Sequence, residues 1–271
     1  MSELLLAIDG DSLAHRAYHA LPKSIRLNAL VGFANFLIRL WESEQPESVL
    51  VGWDSLDVPT YRHEALPAYQ SGREFEDSIV EQLALLPGLV ESFGFQVAKA
   101  GGYEADDFLA AAVAQEEKDR GIAVVVTSDR DSFQLASERT TILQPTRGVS
   151  ELSRVGPAEV RERYGVDPGQ VPDFIALRGD PSDKLPGARG VGPKTAANLL
   201  AQYGTLEAML EDGRFEAQAE ELRMYRRMAT LDASAPLPPL VDQTPNWVEA
   251  SSFVRQLGMN AQADRIAAQA A

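Results

Sequence analysis

Three short apolar runs each close on an aspartate: Leu4 to Ile8 before Asp9, Val49 to Trp53 before Asp54, and Val124 to Ser128 before Asp129. Runs this short, rich in Leu, Ile and Val, predict strands buried on both faces. Helical periodicity fills the gaps, over 13–20 with Ser12 as the expected N-cap, and over 29–42, 79–93 and 105–118. Strand alternating with helix predicts a parallel α/β sheet. Beyond about residue 155 the pattern becomes helical. Short helices are expected at 157–164, 171–177, 195–202 and 205–210, and a longer one at 215–231. Pro236, Pro238, Pro239 and Pro245 mark an extended connector, and the Ala-rich end, 247–270, reads as helix.

The chain has 271 residues, no cysteine and only three histidines, His15, His19 and His63. Disulfides, thiolate zinc sites, iron–sulfur clusters and a cysteine nucleophile are excluded. Any metal site must be built mainly from carboxylates, which select hard cations such as Mg²⁺ or Mn²⁺. No apolar run approaches the roughly 20 residues of a membrane span. Glu3 stands where a signal peptide would carry positive charge, so a cytoplasmic protein is expected. The formal net charge of −15 argues against nucleic acid only as a sum, since a local basic face can coexist with a dense acidic site.

In an open α/β sheet, ligands sit beyond the carboxyl ends of the strands, where Asp9, Asp54 and Asp129 fall. Further acids stand in short segments: Glu104, Asp106 and Asp107 in GYEADDF, Asp131 in TSDRDSF, and Asp180 and Asp183 in RGDPSDK. Any one of them could simply cap a turn or a helix. The repeated strand-end placement and the EADD and DxD spacings favour a common site. Such a cluster repels itself unless cations bridge it, and it can hold two divalent ions roughly 4 Å apart for phosphodiester cleavage.

A second motif, LPGARGVGPKTA, opens a predicted helix. Gly187, Gly190 and Gly192 allow close backbone approach, Arg189 and Lys194 add charge, and Thr195 begins the helix. It reads as a helix-hairpin-helix that grips DNA backbone without reading sequence. The two histidines of the first helix, the three tryptophans and the Arg223 to Arg227 run take bland readings: packing, core and a solvated face.

The segments AIDGDSLAHRAYHAL, WDSLDVPTYRHEALPAYQSGR, GYEADD, TSDRDSFQL and RGDPSDKLPGARGVGPKTA resemble, in order, those of the 5′ nuclease family. That family includes the 5′→3′ exonuclease domain of bacterial DNA polymerase I, phage 5′ exonucleases and flap endonucleases. The resemblance implies a PIN-like α/β core over 1–165, with a helical arch at about 60–95. It also implies a helical region over 166–271 carrying the hairpin, integrated into one catalytic domain. All nine acids correspond to the family's metal-site residues, while Arg16, Tyr69 and Arg73 correspond to residues near the substrate phosphate and arch base. The expected activity is cleavage of DNA at 5′ ends, flaps or branched structures. It would use two divalent cations, with an optional monovalent cation at the hairpin. A stand-alone monomer is expected, with a separate DNA polymerase as a candidate partner. Tyr69-Gln70-Ser71-Gly72-Arg73 departs from the family's usual Tyr-Lys-x-x-Arg, and Gln70 can donate hydrogen bonds but carries no charge. This departure motivates an alternative, a catalytically weak DNA-structure binder. Asp9-x-Asp11 after a strand motivates a lesser one, a small-molecule phosphatase.

Overall fold

The structure is a computed structural model and describes residues 4–55, 58–71, 75–147 and 151–270. Elements run β1 (Leu4–Asp9), α1 (Gly10–Ala20), α2 (Asn28–Glu44), β2 (Ser48–Gly52), α3 (Tyr61–Ala65), α4 (Asp77–Ser92), β3 (Gln96–Ala98), α5 (Ala105–Lys118), β4 (Ile122–Val126), β5 (Thr140–Arg147) and β6 (Glu151–Val155). Helices follow: α6 (Pro157–Tyr164), α7 (Val171–Arg178), α8 (Pro193–Tyr203), α9 (Leu206–Glu211), α10 (Ala219–Ala229), α11 (Trp247–Gln256) and α12 (Asn260–Ala267).

The six strands form one sheet in the order β3-β2-β1-β4-β5-β6. Five run parallel, and β6 pairs antiparallel to β5. Side chains alternate across the sheet as the period of two requires. Leu5, Ala7, Leu50, Val125 and Ile142 enter one core with α5, α7, α8 and α10. Leu6, Ile8, Val49, Val51, Val124 and Val126 enter a second with α1, α2, α4, α11 and α12. The three inner strands β1, β2 and β4 are therefore apolar on both faces, which is why they were legible as continuous runs.

The sheet is mixed rather than wholly parallel, and three strands escaped the pattern. β3 has only three residues, and β5 passes through Gln144, Pro145 and Thr146 toward the sheet edge. β6 reads ELSRV, with only Val155 fully buried, as an edge strand does. The helices fall close to expectation, with two differences. The C-terminal helical stretch divides into α11 and α12 at Gly258, whose φ is 77°. The N-cap of α1 is Asp9, whose side chain accepts from the Ser12 backbone N–H. Ser12 is thereby released for another partner, described below. Trp53 is fully buried and Trp41 and Trp247 half-buried, as expected. On α10, Arg223 pairs with Glu207 and Glu220, and Arg226 with Asp173, a solvated ion-paired face. No helix among the described residues is long and apolar enough to cross a membrane.

Candidate active site and hairpin

The carboxyl ends of β1, β2 and β4 open on a cleft of about 1160 Å³. Its wall includes Asp9, Asp11, Asp54, Glu104, Asp106, Asp129, Asp131 and Asp180. Seven of these eight acids are ones the sequence singled out for metal; Asp11 is the addition. Asp183 is buried outside this lining, and its Oδ1 accepts from Nε2 of the lining residue Gln70 at 3.3 Å.

Most of these acids accept from backbone or hydroxyl donors nearby. Asp9 Oδ1 accepts from Ser12 N at 2.9 Å and Oδ2 from Thr127 Oγ1 at 2.7 Å. Thr127 in turn accepts from Asp129 N at 3.0 Å, so one hydroxyl ties the ends of β1 and β4 together. Ser12 Oγ accepts from Ser128 N at 3.0 Å, and Arg16 Nε donates to Ser128 Oγ at 2.8 Å. Asp11 Oδ2 accepts from Asp54 N, and Asp54 Oδ1 from Ala105 N, both at 2.7 Å. Asp129 Oδ1 accepts from Asp131 N at 2.9 Å, which starts a 3₁₀ turn over Asp131–Leu135. Asp180 Oδ1 accepts from Ser182 N at 2.8 Å.

Electrostatically the cleft is under strain. Burial, with repulsion from Asp54 and Asp129, pushes the Asp9 carboxyl up to about 7 despite its hydrogen bonds. Burial raises Asp11, Glu104, Asp106 and Asp131 as well, each with added repulsion from neighbouring acids. Among the described residues no group of three or more His, Asp or Glu side chains is arranged to hold one ion. The acids instead ring the cleft, as mutual repulsion dictates. The donor set is all hard oxygen, which suits Mg²⁺ or Mn²⁺, and a cation would relieve the repulsion that raises these groups.

One acid departs from its expected place. Asp107, expected among the metal-site acids, does not line the cleft. It is fully buried, and both its oxygens are taken by Arg62, through Nη1 at 3.0 Å and Nη2 at 2.9 Å. The backbone N–H groups of Glu104 and Asp232 also donate to it. Arg62 is the residue that sequence reasoning missed. Only 1% exposed, it also faces Glu104 at 3.2 Å and Asp106 at 3.5 Å, and donates to Met228 O. The available signal was the EADD string itself: several carboxylates on one helical turn require a buried cation.

Tyr69 is buried, donates to Glu104 Oε2 at 3.0 Å and accepts from Gln70 Nε2 at 2.8 Å. Gln70 lines the cleft, with a left-handed backbone at φ 47°. Arg73 lies outside the described residues. Of the expected arch, the structure describes α3, a turn and α4. The N-terminus of α4 is tied to α1 through Glu76, which accepts from Tyr18 and Lys23. His15 lies against the Phe75 ring at 4.8 Å, and His19 is exposed.

The LPGARGVGPKTA segment joins α7 to α8, and just before it Asp180 and Leu185 exchange both backbone hydrogen bonds at 2.8 Å. Gly187, expected to face phosphate, is instead a packing position. Its φ is 75°, and an added Cβ would stand 2.4 Å from Gly179 N. Gly190 and Gly192 have open space where a Cβ would go, and Lys194 is exposed. Replacing both glycines by glutamine is expected to weaken duplex DNA binding by roughly tenfold, or about 1.4 kcal/mol, by blocking backbone approach. Fluorescence anisotropy at several salt concentrations checks this, and an unchanged Kd would move the contact elsewhere.

Residues 4–165 match the family described as 5′-3′ exonuclease, N-terminal resolvase-like domain, and 166–248 the 5′-3′ exonuclease, C-terminal SAM fold. DNA polymerase I of Mycobacterium tuberculosis (strain ATCC 25618 / H37Rv) is 41% identical over 216 residues, covering 77% of this chain. DNA polymerase I of Bacillus subtilis is 32% identical over 97% of this chain. The chain spans about a quarter to a third of the length of these relatives (24% and 32%). Among solved structures, the phage T5 5′-exonuclease with bound zinc is similar at TM-score 0.72 and 20% identity, over 97% of this chain and 98% of that one. With two adjoining family matches running from Leu4 to Val248, and the strand-end acids gathered on one cleft, the chain belongs to the 5′-3′ exonuclease family.

Proposed function

We propose that this chain is a divalent-metal-dependent 5′ nuclease that hydrolyses phosphodiester bonds of DNA at 5′ ends or 5′ flaps. The observation that carries the reading is the convergence of eight carboxylates from β1, α1, β2, α5, β4 and the loop after α7 on one cleft. Asp9, Asp54, Glu104, Asp106, Asp129, Asp131, Asp180 and Asp183 would hold two divalent cations, Mg²⁺ or Mn²⁺. Bound there, the ions supply an activated water and neutralise charge on the leaving oxygen.

The chain's own groups do the rest. Ser12, Thr127 and backbone N–H groups orient the acids. Tyr69 and Gln70 bridge Glu104 to Asp183 across the cleft mouth. Arg16 and Arg73 serve as candidate phosphate contacts. Arg189, Gly190, Gly192, Lys194 and Thr195 grip duplex backbone, with room for a monovalent cation at the hairpin. Residues 1–165 and 166–271 act as one catalytic unit on a DNA substrate with a 5′ end, flap or branch, as a cytoplasmic monomer working beside a DNA polymerase. The T5 protein, which has also been solved as a flap endonuclease with DNA and metal ions, supports this reading by analogy of fold.

Cleavage of a 5′-flap oligonucleotide is expected to require Mg²⁺ or Mn²⁺ and to stop in excess EDTA. Full cleavage in EDTA would sink the metal reading. Tight flap binding without any cleavage would favour a structure-binding protein, and hydrolysis of small phosphomonoesters alone would favour a phosphatase.

A further inference from the structure

A cleft ringed by acids must still admit a phosphodiester, and a fixed cation on its wall lowers that barrier. Among the described residues two arginines line it, Arg130 and Arg178. Arg130 is exposed, where solvent screens its charge and its rotamers are many. Arg178, the last residue of α7, is only 21% exposed. Its guanidinium carbon stands 5.4 Å from the Phe174 ring centroid and 5.9 Å from that of Tyr164. Those two rings are themselves stacked, at 5.0 Å and 21°. Aromatic faces of this kind fix the plane of a guanidinium.

The hydrogen bonding of Arg178 is incomplete. Nη2 donates to Asp180 Oδ2 at 3.1 Å. Buried Nε has no partner among the described residues. Asp180, for its part, is already served by the Ser182 N–H and hydroxyl. A pair that existed only to neutralise Asp180 would not need to leave a buried guanidinium donor unmatched. A planar cation held against aromatic rings and lining the cleft suits the non-bridging oxygens of a phosphate.

We propose that Arg178 contacts the scissile phosphate and stabilises the charge that develops on it. The proposal rests on the nuclease reading above. It also explains how the cleft works with a neutral amide at Gln70, whose Nε2 is 3.3 Å from Asp183. A lysine at position 70 would bring an ammonium to the same cleft, so the two positions should be coupled.

The test is single-turnover cleavage of a 5′ flap by wild type, R178M, Q70K and the double variant, with KM for DNA and melting temperature recorded. Methionine keeps the stem over the rings and removes only the charge. R178M is expected to lower kcat about 100-fold, in line with loss of one electrostatic donor, with KM and Tm nearly unchanged. Q70K is expected to recover at least tenfold of that loss in the R178M background, and to gain far less in wild type. A kcat within about threefold of wild type overturns the proposal. So does full recovery of R178M by raising Mg²⁺ alone, because Arg178 would then serve only the acids. Should R178M unfold, R178K decides. A loss above tenfold is expected because an ammonium cannot stack and fork, and wild-type rate in R178K overturns the proposal. Absence of any metal-dependent cleavage by wild type removes the nuclease reading and this proposal with it, whereas intact wild-type cleavage with an unaffected R178M removes this proposal alone.

Discussion

Asp129→Ala is expected to reduce flap cleavage by at least about 10³-fold while leaving the protein folded. Removing a residue that only orients a metal ligand typically costs about 10–100-fold, and Asp129 is proposed as a ligand itself. It stands exposed at the end of β4, directly on the cleft, and among the described residues its Oδ1 is engaged only by Asp131 N. That single hydrogen bond is worth about 1 kcal/mol. Against it, the Asp129 charge adds to the repulsion that raises Asp9, Asp106 and Asp131. The two effects oppose each other, so stability without metal should change little, and urea titration of the EDTA-treated protein will show it. Residual cleavage above one tenth of wild type would remove Asp129 from the metal site. A variant that unfolds would make it structural.

The second large effect is on stability. Arg62→Met is expected to destabilise the fold by about 3–5 kcal/mol, the usual consequence of stripping one partner from a buried ion pair. Arg62 spans three elements: it starts from α3, holds Asp107, Glu104 and Asp106 around the N-terminus of α5, and reaches Met228 O on α10. Without it, Asp107 keeps its backbone donors but is a buried carboxylate with no cation. Urea denaturation of the variant tests this. A loss below 1 kcal/mol would contradict the role assigned to Arg62.

Asp107 and Arg62 also mark what the sequence could and could not reveal. Strand-end aspartates are visible because a buried strand and its first loop residue are adjacent in the chain. The central sheet, the helices and seven of the eight cleft acids followed from that local pattern. Asp107 is one residue from Asp106, yet a helix turns successive side chains by 100°, so one faces the cleft and the other the core. Separating them needed the fold. Arg62 was hidden because its partners lie more than 40 residues away and an arginine after Tyr61 carries no local signal. β6 was missed because an edge strand is not required to be apolar, and β5 because Gln144, Pro145 and Thr146 interrupt its apolar run. The exchange at the start of α1, where Asp9 caps and Ser12 reaches Ser128, depends on two elements meeting in space.

The loop between α7 and the hairpin has a further consequence. Gly179 and Gly187 are pressed together, and the Asp180–Leu185 bridge closes the stretch between them. The acids Asp180 and Asp183 and the glycines that would grip duplex therefore sit on a single rigid strut rather than on two jointed parts. In a nuclease of the proposed kind that strut is a ruler. The distance from the gripped backbone to the bond that is cut, counted in nucleotides, is set by the length of this loop and not by the base sequence. Lengthening the loop at its exposed Gly190 end would move the incision along the strand without altering the acids that make it.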